Sequence, residues 1–309
     1  VQLRNSAFPY LTLATAFVLV APSLSAAQQR AVKLEKQGDT INVTIDGQPF
    51  TVYNTSKDLP KPFLSPVRSE GGTIISRPLE KPEDHPHHKG IWLSIDEVND
   101  IGFWAEKGKI QNVSAEPVVA EGYPAKLKVV NHWLGNDGKP VLVETTTISI
   151  YPHRLMTYDI RLTAASGPVT FGDTKEGLFG IRVNNTMREG KGGKGTIVNA
   201  EGLKGSRECW GKTSKWVDYY GPTEGEIHGV AIFDHPENFR KSRYHVRDYG
   251  LFTISPFGEK SYTGSKEPEE LYELKQGQSL RLRYAIYIHP GDTESARVGQ
   301  VYEQFVKST

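Results

Sequence analysis

The chain predicts an all-β fold, a large antiparallel β-sandwich closed by a short C-terminal helix. Three observations carry this expectation: apolar residues recur mostly at period two, Asn, Asp and Gly punctuate the apolar runs as turns, and only one segment has helical spacing. Residues 41–45 alternate into a turn at Asp46-Gly47. Residues 127–134, the turn Gly135-Asn136-Asp137-Gly138 and residues 141–151 predict a long hairpin, because Asn, Asp and Gly reach turn conformations at low cost. A further strand follows Pro152-His153, with Met156, Tyr158, Ile160 and Leu162 on one face. Near the end, Leu280, Leu282, Tyr284, Ile286 and Ile288 alternate with Arg281, Arg283 and Tyr287. Helical spacing is confined to residues 293–306, where Val298, Val301, Tyr302 and Phe305 share a stripe behind Asp292 as the expected cap.

The first 27 residues predict an address. One charge, Arg4, precedes an apolar run from Ala7 to Val20 and the small residues Ser23-Leu24-Ser25-Ala26-Ala27, the pattern of a secretory signal cleaved after Ala27. Residues 28–309 are then read as one β-sandwich domain, exported to the periplasm or secreted, with no stable membrane insertion after cleavage. Cleavage takes Arg4 from the 37 basic side chains and leaves 36 against 36 acidic ones. That balance excludes the basic excess expected of a nucleic-acid partner. The lone Cys209 offers no intrachain disulfide, so stability must come from an ordinary core. The Gly-rich stretch 189–195 is not a phosphate loop, since residues 196–198 continue as a strand and not as a helix.

Chemistry concentrates in Asp84-His85-Pro86-His87-His88-Lys89-Gly90, which holds three of the nine histidines. Imidazole trades protons or binds metals near neutral pH. Pro86 disfavours helix, so His85 and His87 are expected on one side of an extended or turned segment and His88 on the other. His85, His87 and Asp84 then form a candidate divalent-metal set, and proton transfer around a polar substrate is the competing use. No other cofactor is implied. Glu176, between Lys175 and Gly177, is a candidate general base. Asp234-His235-Pro236 repeats the Asp-His-Pro motif where an apolar strand ends, and His245 and Arg247 share a face if their segment is extended. These two segments are expected to supply the wall opposite the histidine turn. Histidines 132, 153 and 289 are read as surface residues. Trp92, Trp104, Trp210 and Trp216 cluster near the polar motifs, where rings can stack on apolar ligand faces.

The blocks Ile75-Ser76-Arg77-Pro78, Asp84 to Trp92, Gly102-Phe103-Trp104-Ala105-Glu106, Lys175-Glu176-Gly177, Gly180-Ile181-Arg182-Val183 and His245 to Phe252 resemble one soluble bacterial family, the PmoA-like family. Its label points to methane oxygenase. A particulate oxygenase subunit is built from membrane helices, and residues 28–309 contain no segment of that kind. The order of an Arg, a His-rich turn, a long β-meander and a terminal strand with aromatics and Arg is also similar to galactose-mutarotase-like supersandwich proteins. That resemblance implies an Arg and histidines around a sugar ring, with a carboxylate as base. By position it implies Arg77 and one of His85, His87 or His88 near the sugar, and it places neither a second histidine nor the base. From the residues themselves, His85, His87, Glu176 and His235 are the expected proton-transfer groups, and Arg77, His88, Trp92, Trp104, Asp234, His245 and Arg247 are the expected substrate contacts. The function so implied is an exported carbohydrate-active enzyme of epimerase, lyase or hydrolase type, acting on a sugar, uronate or modified glycoside, whether small molecule or oligosaccharide. A non-catalytic carbohydrate-binding protein is the alternative reading, and a metal-dependent oxygenase the third.

Overall fold

A computed structural model describes residues 1–2, 31–80, 82, 84–266 and 271–308. The expected signal segment and its cleavage site lie outside the described residues, apart from Val1 and Gln2. Among the described residues no helix is long and apolar enough to cross a membrane.

Two antiparallel sheets stack as the alternating pattern requires. The nine-stranded sheet runs, edge to edge, through Arg243–Val246, Leu251–Ser255, Phe179–Arg182, Ile91–Leu93, Phe63–Val67, Gln48–Asn54, Thr40–Ile45, Val32–Gln37 and Glu121–Gly122. The eight-stranded sheet runs through Thr196–Asn199, Trp216–Thr223, Glu226–Asp234, Ser279–Pro290, Leu155–Ala164, Pro140–Ile150, Ala125–Leu134 and Lys109–Val119. The predicted hairpin pairs Ala125–Leu134 with Pro140–Ile150, and Leu155–Ala164 follows it antiparallel. A smaller four-stranded sheet flanks them.

Period two assigns each strand residue to a face, and the burial follows. Ile160, Leu162, Leu282, Ile286, Val230 and Ile232 of the eight-stranded sheet meet Leu64, Ile91, Ile181, Val246, Phe252 and Ile254 of the nine-stranded sheet in one apolar cluster. Burying each such side chain contributes about 1.5–3 kcal/mol, which offsets the conformational entropy of ordering long strands. On its other face the eight-stranded sheet presents Leu155, Ala231, Phe233, Ala285 and Tyr287 to Val298, Val301, Tyr302 and Phe305. Those four residues form the buried stripe of the C-terminal helix, Val298–Ser308.

That helix begins later than its apolar spacing predicts. Asp292 caps a preceding turn, accepting from the Ser295 amide at 2.9 Å, and Arg297 takes a left-handed φ of 52° that interrupts the helical path. Two further short helices, Ser206–Cys209 and Glu259–Thr263, have too few residues to show a period in sequence.

Candidate functional site

The outer face of the nine-stranded sheet, opposite the core, carries the polar chemistry. Strand register pairs His245 with Thr253, Thr253 with Gly180, Gly180 with Trp92, and Trp92 with Phe63. One residue along, Val246, Phe252, Ile181, Ile91 and Leu64 pair in the same way and point into the core. The alternation that builds the core therefore delivers His245 and Trp92 to one outer surface, separated by Thr253 and by Gly180, which has no side chain.

Glycines make room above this row. A Cβ on Gly180 would run into the backbone of Phe252 and Thr253, and one on Gly177 would overlap Thr253 Oγ1. The segment 175–180 thus lies against Thr253, and Glu176 is brought over the outer face. Its Oε2 sits 3.6 Å from Nδ1 of His245, and its Oε1 accepts from Lys175 at 3.1 Å. His245 is buried, and neither of its ring nitrogens makes a hydrogen bond among the described residues. Burial lowers its pKa to about 4 despite the opposing charge of Glu176, so the ring is neutral at neutral pH.

The histidine motif forms a tight turn, with the His88 amide bonded to the His85 carbonyl at 3.0 Å. His85 takes a left-handed φ of 42°, an uncommon conformation for a residue with a Cβ, and Gly90 at φ 53° closes the turn where a Cβ would strike the Leu64 carbonyl. Arg77 holds the turn from behind. Its Nη1 donates to the Asp84 carbonyl and Oδ1 at 2.8 Å, and its Nη2 donates to the carbonyls of His85 at 2.8 Å and His88 at 3.0 Å. Asp84 Oδ1 also accepts from Arg182 at 2.9 Å. Burial opposes the Asp84 charge, but Arg182, His85 and Arg77 overcome it and hold the carboxyl below its ordinary range.

The three imidazoles divide differently from the sequence expectation. His85 and His88 stack in parallel at 4.8 Å, inside a column that continues to Trp92 at 5.4 Å on one side and Tyr249 at 5.3 Å on the other. His87 stands edge-on to this column, 4.4 Å from His88. The tight turn, not an extended strand, sets these directions. His88 is buried, contacts Arg182 through Nδ1 at 3.1 Å, and is held well below the imidazole range by burial and by the charges of its neighbours. His87 is half-buried and lowered to about 4 by burial, Lys61 and His85. The Glu176 charge reaches His87 and opposes that shift, which ties the turn to the Glu176–His245 pair.

Beside the turn, Glu106 Oε1 accepts from Lys61 at 2.8 Å and from Lys89 at 2.5 Å. Burial raises and the two ammonium groups lower the Glu106 pKa, with a net shift downward. Lys61 is itself buried, donates to the His87 carbonyl at 2.9 Å, and is pushed down to about 8 by that burial. Trp92 and Trp104 are buried and pack on His88 and on each other.

The structure thus brings together Asp84, His85, His87, His88, Arg77, Trp92, Trp104, Glu176, His245 and Arg247. Arg77, His88, Trp92 and Trp104 are buried supports of the turn, not open contact surfaces. Asp234 and His235 are a correction, because they do not form the opposite wall. They line a separate cavity with Lys215, Lys241 and Tyr302, at the end of the strand Glu226–Asp234 in the other sheet. His235 packs edge-on against Phe305 at 5.3 Å, and the Asp234 carboxylate accepts from Asn238 and Ser242. Burial raises the Asp234 pKa to about 6. The repeated Asp-His-Pro reflects a similar local turn on two different sheets.

The metal set is a second correction. Among the described residues no group of three or more His, Cys, Asp or Glu side chains is placed to hold a metal ion. Asp84 Oδ1 is taken by two guanidinium groups and lies 3.2 Å from His85 Nδ1, while the His85 and His87 rings meet edge to face. The third correction concerns His289, which is buried and bonds through Nε2 to Asp218 Oδ1 at 3.0 Å.

Sequence reasoning missed Lys61, Glu106, Arg182 and Tyr249. Glu106, Arg182 and Tyr249 lie in motif blocks quoted for resemblance, so their proximity to histidine and tryptophan residues was the available signal. Lys61, flanked by prolines, has no such signal.

A family model matches residues 40–303. The chain belongs to that family, DUF6807, described as a family of unknown function. The PmoA-like label has no support in that description. No curated protein matches the chain. Solved structures similar to it include a galactose 1-epimerase from Lactobacillus acidophilus NCFM, at 8% identity over 85% of this chain and 98% of that one, with a TM-score of 0.41. A GalM/aldose epimerase homologue from C. elegans matches at 7% identity over 85% of this chain and all (100%) of the other, with a TM-score of 0.36. A beta-arabinopyranosidase matches at 11% identity over 84% of this chain and 38% of that one, with a TM-score of 0.35.

Proposed function

We propose that this chain is an exported carbohydrate-active enzyme that performs acid–base chemistry on a sugar, with Glu176 as the proton-transfer carboxylate. The observation that carries the reading is the Glu176–His245 pair, a half-buried carboxylate 3.6 Å from a buried neutral imidazole, with the Glu176 charge also acting on His87. Glu176 takes a proton from a substrate carbon, hydroxyl or water. His245, a neutral imidazole 3.6 Å behind the carboxylate, is placed to donate an N–H to it when Glu176 moves onto the substrate. His87, neutral near pH 7, hydrogen-bonds the substrate oxygen on which negative charge develops, and the nearby cations Lys61 and Arg247 stabilise it. Epimerisation, elimination and hydrolysis all use this arrangement of base, hydrogen-bond donor and cation.

The test is turnover of a panel of sugars and uronate oligosaccharides by the full chain, followed by NMR for epimers, ultraviolet absorbance for unsaturated products and reducing-end assay for hydrolysis. Turnover that Glu176→Gln abolishes supports the reading, and turnover unaffected by that change rejects it. A non-catalytic sugar-binding protein is the second reading. It is favoured by the way Asp84 and Glu106 are already occupied by neighbouring cations. Sugar binding with no turnover across the panel would decide for it.

A further inference from the structure

Among the described residues, the cations of the site outnumber the carboxylates that neutralise them. Lys61 and Lys89 share the single carboxylate oxygen Glu106 Oε1. Asp84 receives Arg182 at 2.9 Å, with Lys191 3.7 Å from its other oxygen. Lys175 occupies Glu176, while Arg247 makes no ion pair or side-chain hydrogen bond among the described residues. Asp96 is the further carboxyl near Glu176, and burial pushes its pKa up, away from the charged form. Asp248, next to Arg247, turns toward Gly190, where an added Cβ would lie 2.7 Å from its Oδ2. The whole sequence has a formal charge of only +1, so this excess is local.

Arg247 is also held in place. Its guanidinium lies over the Tyr249 ring at 5.6 Å, and the guanidinium of Arg182 lies 4.7 Å from the same ring. Tyr249 in turn stacks on His85. The Arg247 amide bonds to the Leu251 carbonyl at 2.8 Å, which fixes its backbone beside His245. Arg247 thus sits two residues from His245 in the chain and beside the Tyr249 end of the histidine column, and its charge acts on both. A planar guanidinium, pre-stacked and without a carboxylate partner among the described residues, matches the two oxygens of a carboxylate.

We infer that the site selects an anionic sugar, a uronate whose carboxylate pairs with Arg247 while its ring lies toward Glu176 and His87. This rests on the acid–base reading for the placement of the ring, but the charge selection is separable from turnover. Arg247 is a specificity residue, and Tyr249 positions it.

Titration calorimetry on the full chain tests it with matched pairs: methyl glycosides of glucuronate, galacturonate and mannuronate against those of glucose, galactose and mannose. At least one uronate is expected to bind tenfold or more tightly than its neutral partner, with the preference shrinking as salt rises. Arg247→Ala is expected to erase the preference, and Arg247→Lys to restore part of it, with circular dichroism confirming an unchanged fold. Equal binding of charged and neutral sugars, or a preference untouched by Arg247→Ala, overturns the inference. Tighter binding of the matching sulfated sugar overturns the choice of carboxylate. Preferential uronate binding without turnover leaves the charge selection standing and removes the enzyme reading. Turnover of neutral sugars alone, abolished by Glu176→Gln, does the reverse.

Discussion

Glu176 lies 3.6 Å from His245 because Gly177 has no side chain to hold its segment off Thr253. The proposed base and its partner come from segments about seventy residues apart in the chain, and a single absent Cβ lets them meet. Gly177→Ala is therefore expected to cost about 1–3 kcal/mol of stability through overpacking and to reduce turnover more than substrate affinity. Thermal unfolding and a kcat-against-KM comparison check both parts. An unchanged kcat in a folded Gly177→Ala protein would sink the positioning argument.

Replacing Glu176 with Gln keeps the shape and removes the proposed base. The expected loss in kcat is about 10²- to 10⁴-fold, the usual size of a general acid–base contribution. Ligand affinity measured by calorimetry should change little, since the amide keeps its size and hydrogen-bonding capacity.

Stability should fall in mild acid. Burial depresses the folded-state pKa of His245 to about 4, while the unfolded chain protonates near the ordinary 6.5, so the unfolded state binds protons first. The stability is fully present above about pH 6.5 and is lost as pH drops toward 4, by up to about 3 kcal/mol for this buried group. His87 adds a smaller loss in the same direction, reduced by solvent screening. Denaturant midpoints across pH 4–7 measure the slope, and His245→Gln should flatten it.

His289 has the opposite sign. Burial lowers its pKa, but the charge and hydrogen bond of Asp218 more than reverse this and leave the folded-state value raised. Its contribution is fully present below the ordinary imidazole range and is lost as pH rises through the folded-state pKa. His289→Gln should weaken the protein most at acid pH, with little added loss at alkaline pH. Asp218 also accepts from Thr293 at 2.6 Å, so the same variant should loosen the approach to the C-terminal helix, readable as faster amide exchange there.

Removing the Asp84 charge should disturb the turn more than the fold. Asp84→Asn leaves Arg77 and Arg182 facing a neutral amide and relaxes a segment in which His85 holds a left-handed φ of 42°. Asp84 is partly exposed, so a loss of about 1–2 kcal/mol is expected, below the figure for a fully buried pair. The stacked rings give a spectroscopic check: near-ultraviolet circular dichroism from Trp92 and Tyr249 should change while the far-ultraviolet signal stays.

The site was legible where chemistry and local motif coincide. Histidines in a turn, a carboxylate beside glycine, and an alternating His and Arg all announce themselves, and the structure brings these segments together. Asp234-His235-Pro236 misled because a motif reports a local backbone shape, and local shape says nothing about which sheet its strand joins. Lys61 and Arg182 were invisible as site residues for the complementary reason. A lone cation in sequence reads as solvated surface, and only packing shows it buried against Glu106 or Asp84.

The sequence by itself determined the sandwich, its principal strands and the amphipathic stripe of the last helix, because period two and period 3.6 are local consequences of backbone geometry. Tertiary structure decided which polar residues share a surface. Strand order set His245 three strands from Trp92 on one face and sent Asp234 to the other sheet. Strand pairing is chosen by the burial of whole faces across distant segments, and no local pattern records that choice.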